Sequence, residues 1–137
     1  MMKRYAVGIV LLLICAMGCQ RDEAPTIPSL LFRNWHLIRT RDLSSNNWRT
    51  WDSDAYYTVE YKADGNIVYR RNNVLTEADC CSPRTYTFLA TAIQYTSWYF
   101  CPNGLCATNK KAAITQLSEN QLELTDHFAI YQYEAAK

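Results

Sequence analysis

The chain is expected to fold as an all-β domain: a small antiparallel β-barrel of about eight strands, with a β-sandwich as the alternative. Three observations predict it. Aromatic and β-branched residues recur with period two, as in "AYYTVEYK" (55–62), where Tyr57, Val59 and Tyr61 share a face opposite Thr58, Glu60 and Lys62. Turn residues interrupt such runs at short intervals, "ADGN" (63–66) and "SEN" (118–120) among them. Downstream of the first 18 residues, no stretch carries a sustained apolar stripe at helical spacing. A barrel is preferred to a sandwich because closure removes exposed strand edges.

The first element is not part of that domain. Lys3 and Arg4 precede the uncharged run "YAVGIVLLLICAM", which is short for a bilayer span and ends in small residues, so 1–18 reads as a secretory signal. Of the two nearby cysteines, Cys15 follows bulky Ile14, whereas Cys19 follows Gly18 with Ala16 two positions earlier. Only Cys19 has a plausible cleavage site before it. The order "AMGC" resembles the bacterial lipobox, with Ala16 where Leu is usual, and the resemblance implies that Cys19 is acylated and becomes the new N-terminus. An ordinary cleaved signal and an uncleaved anchor are the alternatives. Two or three acyl chains, at about 0.8 kcal/mol per buried CH₂, hold a protein on a membrane where one would not.

Residues 19–29 then form a lipid-anchored tether with two prolines and no periodicity. Gln20, Arg21, Asp22 and Glu23 resemble the export signal of surface lipoproteins in the Bacteroidota, which implies an outer-membrane lipoprotein facing the cell exterior. The alternative is a periplasm-facing one. By the same kind of resemblance, the absence of Asp directly after Cys19 argues against retention in the inner membrane.

Cleavage before Cys19 would leave 119 of the 137 residues, enough for one domain (30–137) and too few for two. The 14 basic residues, less Lys3 and Arg4, stand against 13 acidic ones, so the mature chain is near neutral and carries no nucleic-acid footprint. The run "NKK" (109–111) reads as a solvated loop.

The strands follow in order. "NWHLIRT" (34–40) opens the domain, and a polar loop, "RDLSSNNWRTWDSD" (41–54), leads to the hairpin over 55–71. Asp64-Gly65 is the strongest short hairpin signal in the chain, because Gly65 can take the positive φ of a tight turn. "RTYTFLAT" and "IQYTSWYF" are expected to pair about a turn near residue 92, followed by "KAAITQL", "QLELTD" and "FAIYQYE".

Together "SLLFRNWHLIRT", "YYTVEYKADGNIVYRR", "AITQLSENQLELTD" and "FAIYQYE" resemble the small lipocalin-like lipoproteins of the Bacteroidota. The similarity covers nearly the whole mature chain. Arg33 stands where that pattern has Gly, and no late Arg is evident to cover Trp35. The resemblance implies a lipocalin-like barrel with Trp35 and Leu37 at its floor. Fold alone does not give function.

Cys80, Cys81, Cys101 and Cys106 remain. In an exported chain thiols oxidise, the spacing fits no common zinc finger, and His36 and His127 lie far off in sequence, so two disulfides and no metal are expected. A bond between adjacent Cys80 and Cys81 would be strained. A turn near residue 92 brings the two pairs to the open end of the hairpin, where an antiparallel ladder favours Cys81–Cys101 with Cys80–Cys106 over the crossed set, which stays open.

No catalytic or cofactor-binding motif occurs, and only Gly65 and Gly104 survive cleavage. His36 in a strand, His127 beside a turn, and Asp52 and Asp54 in a loop read as surface groups, so neither an enzyme nor a cofactor is expected. Aromatic content is the outstanding feature: the mature chain keeps four Trp, nine Tyr and four Phe. Trp48 and Trp51 sit in the polar 41–54 loop. They are either a lid folded over the barrel end or anchors of a ligand mouth or protein-contact patch. Whether Trp98 or Tyr99 faces inward depends on a one-residue register choice.

Two functions fit. One is a lipid-anchored barrel holding a small apolar or amphipathic ligand, as the lipocalin resemblance implies. The other is a filled barrel acting as a surface adaptor whose loops meet a protein or glycan. Large alternating residues, Tyr57, Tyr61, Tyr69, Tyr86 and Phe88, favour a filled centre, and the presence of a cavity discriminates between the two.

Overall fold

A computed structural model describes residues 28–51, 55–106 and 109–137. The signal segment, Cys19, the "QRDE" stretch, Asp52 and Asp54 lie outside the described residues.

Ten strands form one antiparallel sheet. They are β1 (Asn34–Asp42), β2 (Trp48–Thr50), β3 (Tyr57–Tyr61), β4 (Ile67–Arg71), β5 (Val74–Thr76), β6 (Pro83–Leu89), β7 (Ala92–Trp98), β8 (Lys111–Leu117), β9 (Gln121–Thr125) and β10 (Ala129–Ala135). The order is β5-β4-β3-β1-β10-β9-β8-β7-β6, with β2 paired to β1 off this path. The chain is therefore all-β and antiparallel as expected, but with ten strands rather than about eight. The two unexpected strands are three residues each. β2 takes up part of the polar 41–54 stretch: Arg39–Arg41 pair with Thr50–Trp48, while Trp35 and Asn34 pair with Val59 and Glu60 on the same side of β1. β2 and β3 thus lie end to end along one edge of β1. β5 follows the turn Asn72-Asn73, both at positive φ (51° and 66°), a geometry suited to a two-residue hairpin and tolerated by Asn.

The hairpin over β3 and β4 pairs Tyr57 with Arg71 and Tyr61 with Ile67. Gly65 sits in its turn at φ 85°, and a Cβ there would lie 2.9 Å from the Tyr86 carbonyl oxygen. Glycine is needed twice over, for the turn and because β6 passes this close. The Tyr86 amide donates to Gly65 O (2.8 Å), its hydroxyl donates to Lys62 O (2.8 Å), and Asn66 forms one bridge with Thr85. These contacts are not a continuous ladder, and the sheet is not closed.

The core sits where β1 starts and β10 ends. Leu31, Trp35, Ile93, Leu122 and Leu124 are essentially inaccessible to solvent. A single 3-10 turn, Ser29–Leu31, places Leu31 beside Trp35, whose indole N–H donates to Leu31 O at 3.0 Å.

The disulfides are Cys80–Cys101 and Cys81–Cys106, which corrects the favoured pairing to the crossed set. The reason is the turn. Leu89 pairs with Ala92 across the two residues Ala90-Thr91, with Ala90 at φ 53°, instead of the chain reversing near residue 92. That register, carried outward through Pro83 and Trp98, sets Cys80 opposite Cys101. Cys81, at φ 69° with its N–H on Tyr99 O, then reaches Cys106. The two bonds span 21 and 25 residues, and loops of that size stabilise by about 2 to 4 kcal/mol each.

Candidate functional site

Inward-facing aromatic residues of the long strands meet at Tyr61–Tyr95 and Tyr61–Tyr86 but do not fill the space between the strands. They line a partly open cavity of about 570 Å³. Strand alternation explains the wall: Tyr57, Val59 and Tyr61 of β3, Tyr69 of β4, and Tyr131 and Tyr133 of β10 recur every second residue and line it, joined by Tyr95 of β7. Trp35, Leu37, Ala112 and Leu124 also line it, bringing the expected floor residues to the site. The filled centre suggested by Tyr57, Tyr61 and Tyr69 is not what forms, because their rings line the space instead of closing it. Tyr86 is buried as Tyr61 is, and the two rings meet edge to face at 5.3 Å.

The rim comes from less regular segments. Trp51, Trp98, Asn109, Asp126 and the stretch 76–83 contribute, so both disulfides border the site through Cys80 and Cys81. Of the tryptophans singled out in the sequence, Trp51 and Trp98 thus reach the cavity. Trp51 is held by its N–H on Ile38 O (2.9 Å) and remains 51 % exposed. Trp98 pairs with Pro83 in the ladder, and Tyr99 packs instead at 5.6 Å from the Arg84 guanidinium.

Trp48 is not at the cavity. The guanidinium groups of Arg39 (4.5 Å) and Arg41 (5.0 Å) lie over its ring, and Arg39 donates to Gln132, which donates to Glu123. Arg39 and Gln132 are register partners beside Tyr131 and Tyr133, so alternation puts this cluster on the outer face. Cation–π contacts at such a site contribute about 0.5 to 1 kcal/mol each.

The site is rich in phenols and low in dielectric. Burial raises Tyr61 and Tyr133 well above the ordinary phenol range, and neighbouring tyrosines add to it. Burial also raises Tyr69, and takes Tyr95 and Tyr131 up to about 12. The Tyr61 and Tyr95 hydroxyls pair at 3.2 Å, and Tyr69 donates to Pro83 O at 2.7 Å. No hydrogen bond from a described residue reaches the Tyr133 hydroxyl. Asp126 accepts the Phe128 and Ala129 amides through Oδ1 (2.7 and 2.8 Å) and the Asn109 side-chain amide through Oδ2.

His36 is committed elsewhere: its Nδ1 lies 2.8 Å from Tyr57 O, so it carries the proton and donates, and the ring stacks on Tyr56 at 4.1 Å. His127 is exposed in the turn before β10. Neither lines the cavity. Glu77, Asp79, Asn109 and Asp126 were not singled out by sequence reasoning. No signal marks them, because they come together only when the 76–83 stretch and the β9–β10 turn meet at the rim.

No family model, curated protein or solved structure matches the chain.

Proposed function

We propose that the protein is a lipid-anchored outer-membrane lipoprotein, displayed at the cell surface, that binds a small apolar or amphipathic ligand in a lipocalin-like barrel. The cavity carries this reading: about 570 Å³, walled by aromatic rings with a few hydroxyls, is in the size and character range of small-molecule sites. The approach of β6 to β4 at Asn66–Thr85 and at Gly65–Tyr86 supports closure of the sheet into a barrel. In that arrangement β2 and β5 are outlying pieces, eight strands form the wall, and the approach of the β6 edge to β4 shields it from solvent. The described chain begins at Pro28, whose carbonyl accepts the Leu31 amide beside the Leu31–Trp35 floor.

A neutral naphthylamine dye, bright only in apolar surroundings, should bind the purified protein saturably with one site per chain. Trp51→Ala with Trp98→Ala should weaken it by about tenfold or more, the loss expected for aromatic anchors. Absence of binding, or equal binding by the variant, would remove the cavity from the function.

The anchor has its own test. Alkyne fatty-acid labelling of cells should tag the parent and Cys15→Ser but not Cys19→Ser, and protease added to intact cells should digest the labelled domain. Labelling of Cys19→Ser would sink the lipid assignment, and protection of the domain in intact cells would place it on the periplasmic side.

A further inference from the structure

We infer that the cavity takes an organic cation, a ligand with an apolar body and an ammonium group. This rests on the cavity being a ligand site and adds the charge of what enters it. Among the described residues no Lys or Arg lines the cavity, whereas Glu77, Asp79 and Asp126 do. None of these carboxylates is in an ion pair with a described residue: the three ion pairs use Asp42 and Glu60. The donors to Asp126 among the described residues are neutral, the Phe128 and Ala129 amides, the Asn109 side chain and the Tyr131 hydroxyl, so its charge is not cancelled. Glu77 and Asp79 are exposed at the rim and face incoming solute.

The negative field reaches the interior. Beyond the effect of burial, Asp79 pushes the Tyr69 phenol further up, and Asp126 does the same to Tyr95, Tyr131 and Tyr133. A field that disfavours phenolates there disfavours a ligand carboxylate for the same reason and favours a cation. The wall adds the second attraction. The faces of tyrosine and tryptophan rings carry negative quadrupole density, and a cation in a desolvated aromatic enclosure gains more from it than one at an open surface. Tyr133 supplies a hydroxyl that faces the cavity with no hydrogen bond from a described residue, and its oxygen can accept from an ammonium N–H. A fatty acid, the obvious amphipathic alternative, would bring its charge against three like charges with no cation to receive it.

The test uses the full chain with Cys19→Ser, so that no acyl chain is attached there, and three probes of equal chain length: dodecylammonium, dodecanol and dodecanoate. Binding is followed by tryptophan fluorescence below micelle-forming concentrations. The ammonium should bind about tenfold or more tightly than either other probe. Glu77→Gln with Asp79→Asn, both exposed and outside the core, should narrow that gap. Equal or tighter binding of dodecanoate or dodecanol overturns the cation inference and leaves the ligand site standing, and failure of all three probes to bind removes the site as well. A gap unchanged in the double variant also overturns the inference, because the rim carboxylates would not be its source.

Discussion

Replacing Trp35 by Ala should cost about 3 to 5 kcal/mol, against a total stability for a domain of this size of about 5 to 15 kcal/mol. Trp35 is fully buried, packs with Leu31 and the β9 leucines, and satisfies the Leu31 carbonyl through its indole N–H. Truncation removes the ring, leaves a void that a sheet held on both sides of β1 cannot collapse into, and takes away one of the two donors to that carbonyl, which keeps the Arg33 amide. Trp35→Phe keeps most of the packing and should cost distinctly less. Trp51→Ala supplies the contrast: the ring is half exposed at the rim, and its loss should change stability by about half a kcal/mol or less. Chemical denaturation of the three variants checks this. A cost below about 1 kcal/mol for Trp35→Ala would mean that the floor is not the structural keystone the packing makes it. A loss for Trp51→Ala as large as that for Trp35→Ala would make Trp51 a core lid rather than part of a binding rim.

What could be read from the sequence, and what could not, follows from how far each feature depends on register. The β3–β4 hairpin was legible because its alternation and its Asp-Gly turn agree, and neither needs a distant partner. The same holds for β8 and β9 around 118–120. β2 and β5 were not legible. Three residues cannot display a period, and Val74 and Leu75 are 68 % and 70 % exposed, so no buried face marks them. Asn72-Asn73 was the available signal for β5, since two consecutive asparagines suit consecutive positive φ values.

The disulfide pairing failed for a narrower reason. Ala90 takes a left-handed conformation that glycine or asparagine usually signals. With no such residue at the true turn, the reversal was expected slightly later, and each cysteine was matched to the wrong partner. The candidate site divides in the same way. Aromatic abundance pointed to a site, and Trp51 and Trp98 do reach it. That Trp48 faces outward follows from the irregularity between Leu37 and Arg39, a bulge that shifts the alternation of β1 and that no residue type announces. The acidic rim is a tertiary juxtaposition and was beyond local reading.

The aromatic wall also sets how the protein should respond to alkali. A phenol whose folded pKa stands above its unfolded value near 10 holds its proton more tightly in the native state. Its contribution to stability is intact below about pH 10 and is lost as the pH rises through the folded value. Tyr61, Tyr69, Tyr95 and Tyr133 are all raised, chiefly by burial. Each such group removes roughly 1.4 kcal/mol per pH unit once its unfolded form ionises, so four of them remove roughly 5 kcal/mol per unit as an upper bound. That slope exhausts the stability of an ordinary domain within about one to three units. The expected result is an abrupt loss of folded circular-dichroism signal between about pH 10 and 13, accompanied by a sharp, cooperative rise in phenolate absorbance rather than a broad titration centred near 10. Tyr133→Phe isolates the cause, since that hydroxyl has no described partner to lose: the variant should keep its neutral-pH stability and unfold at higher pH than the parent. A parent that titrates most of its tyrosines near pH 10 with its fold intact would show the wall to be open to water, and the cavity would have to be given up with it.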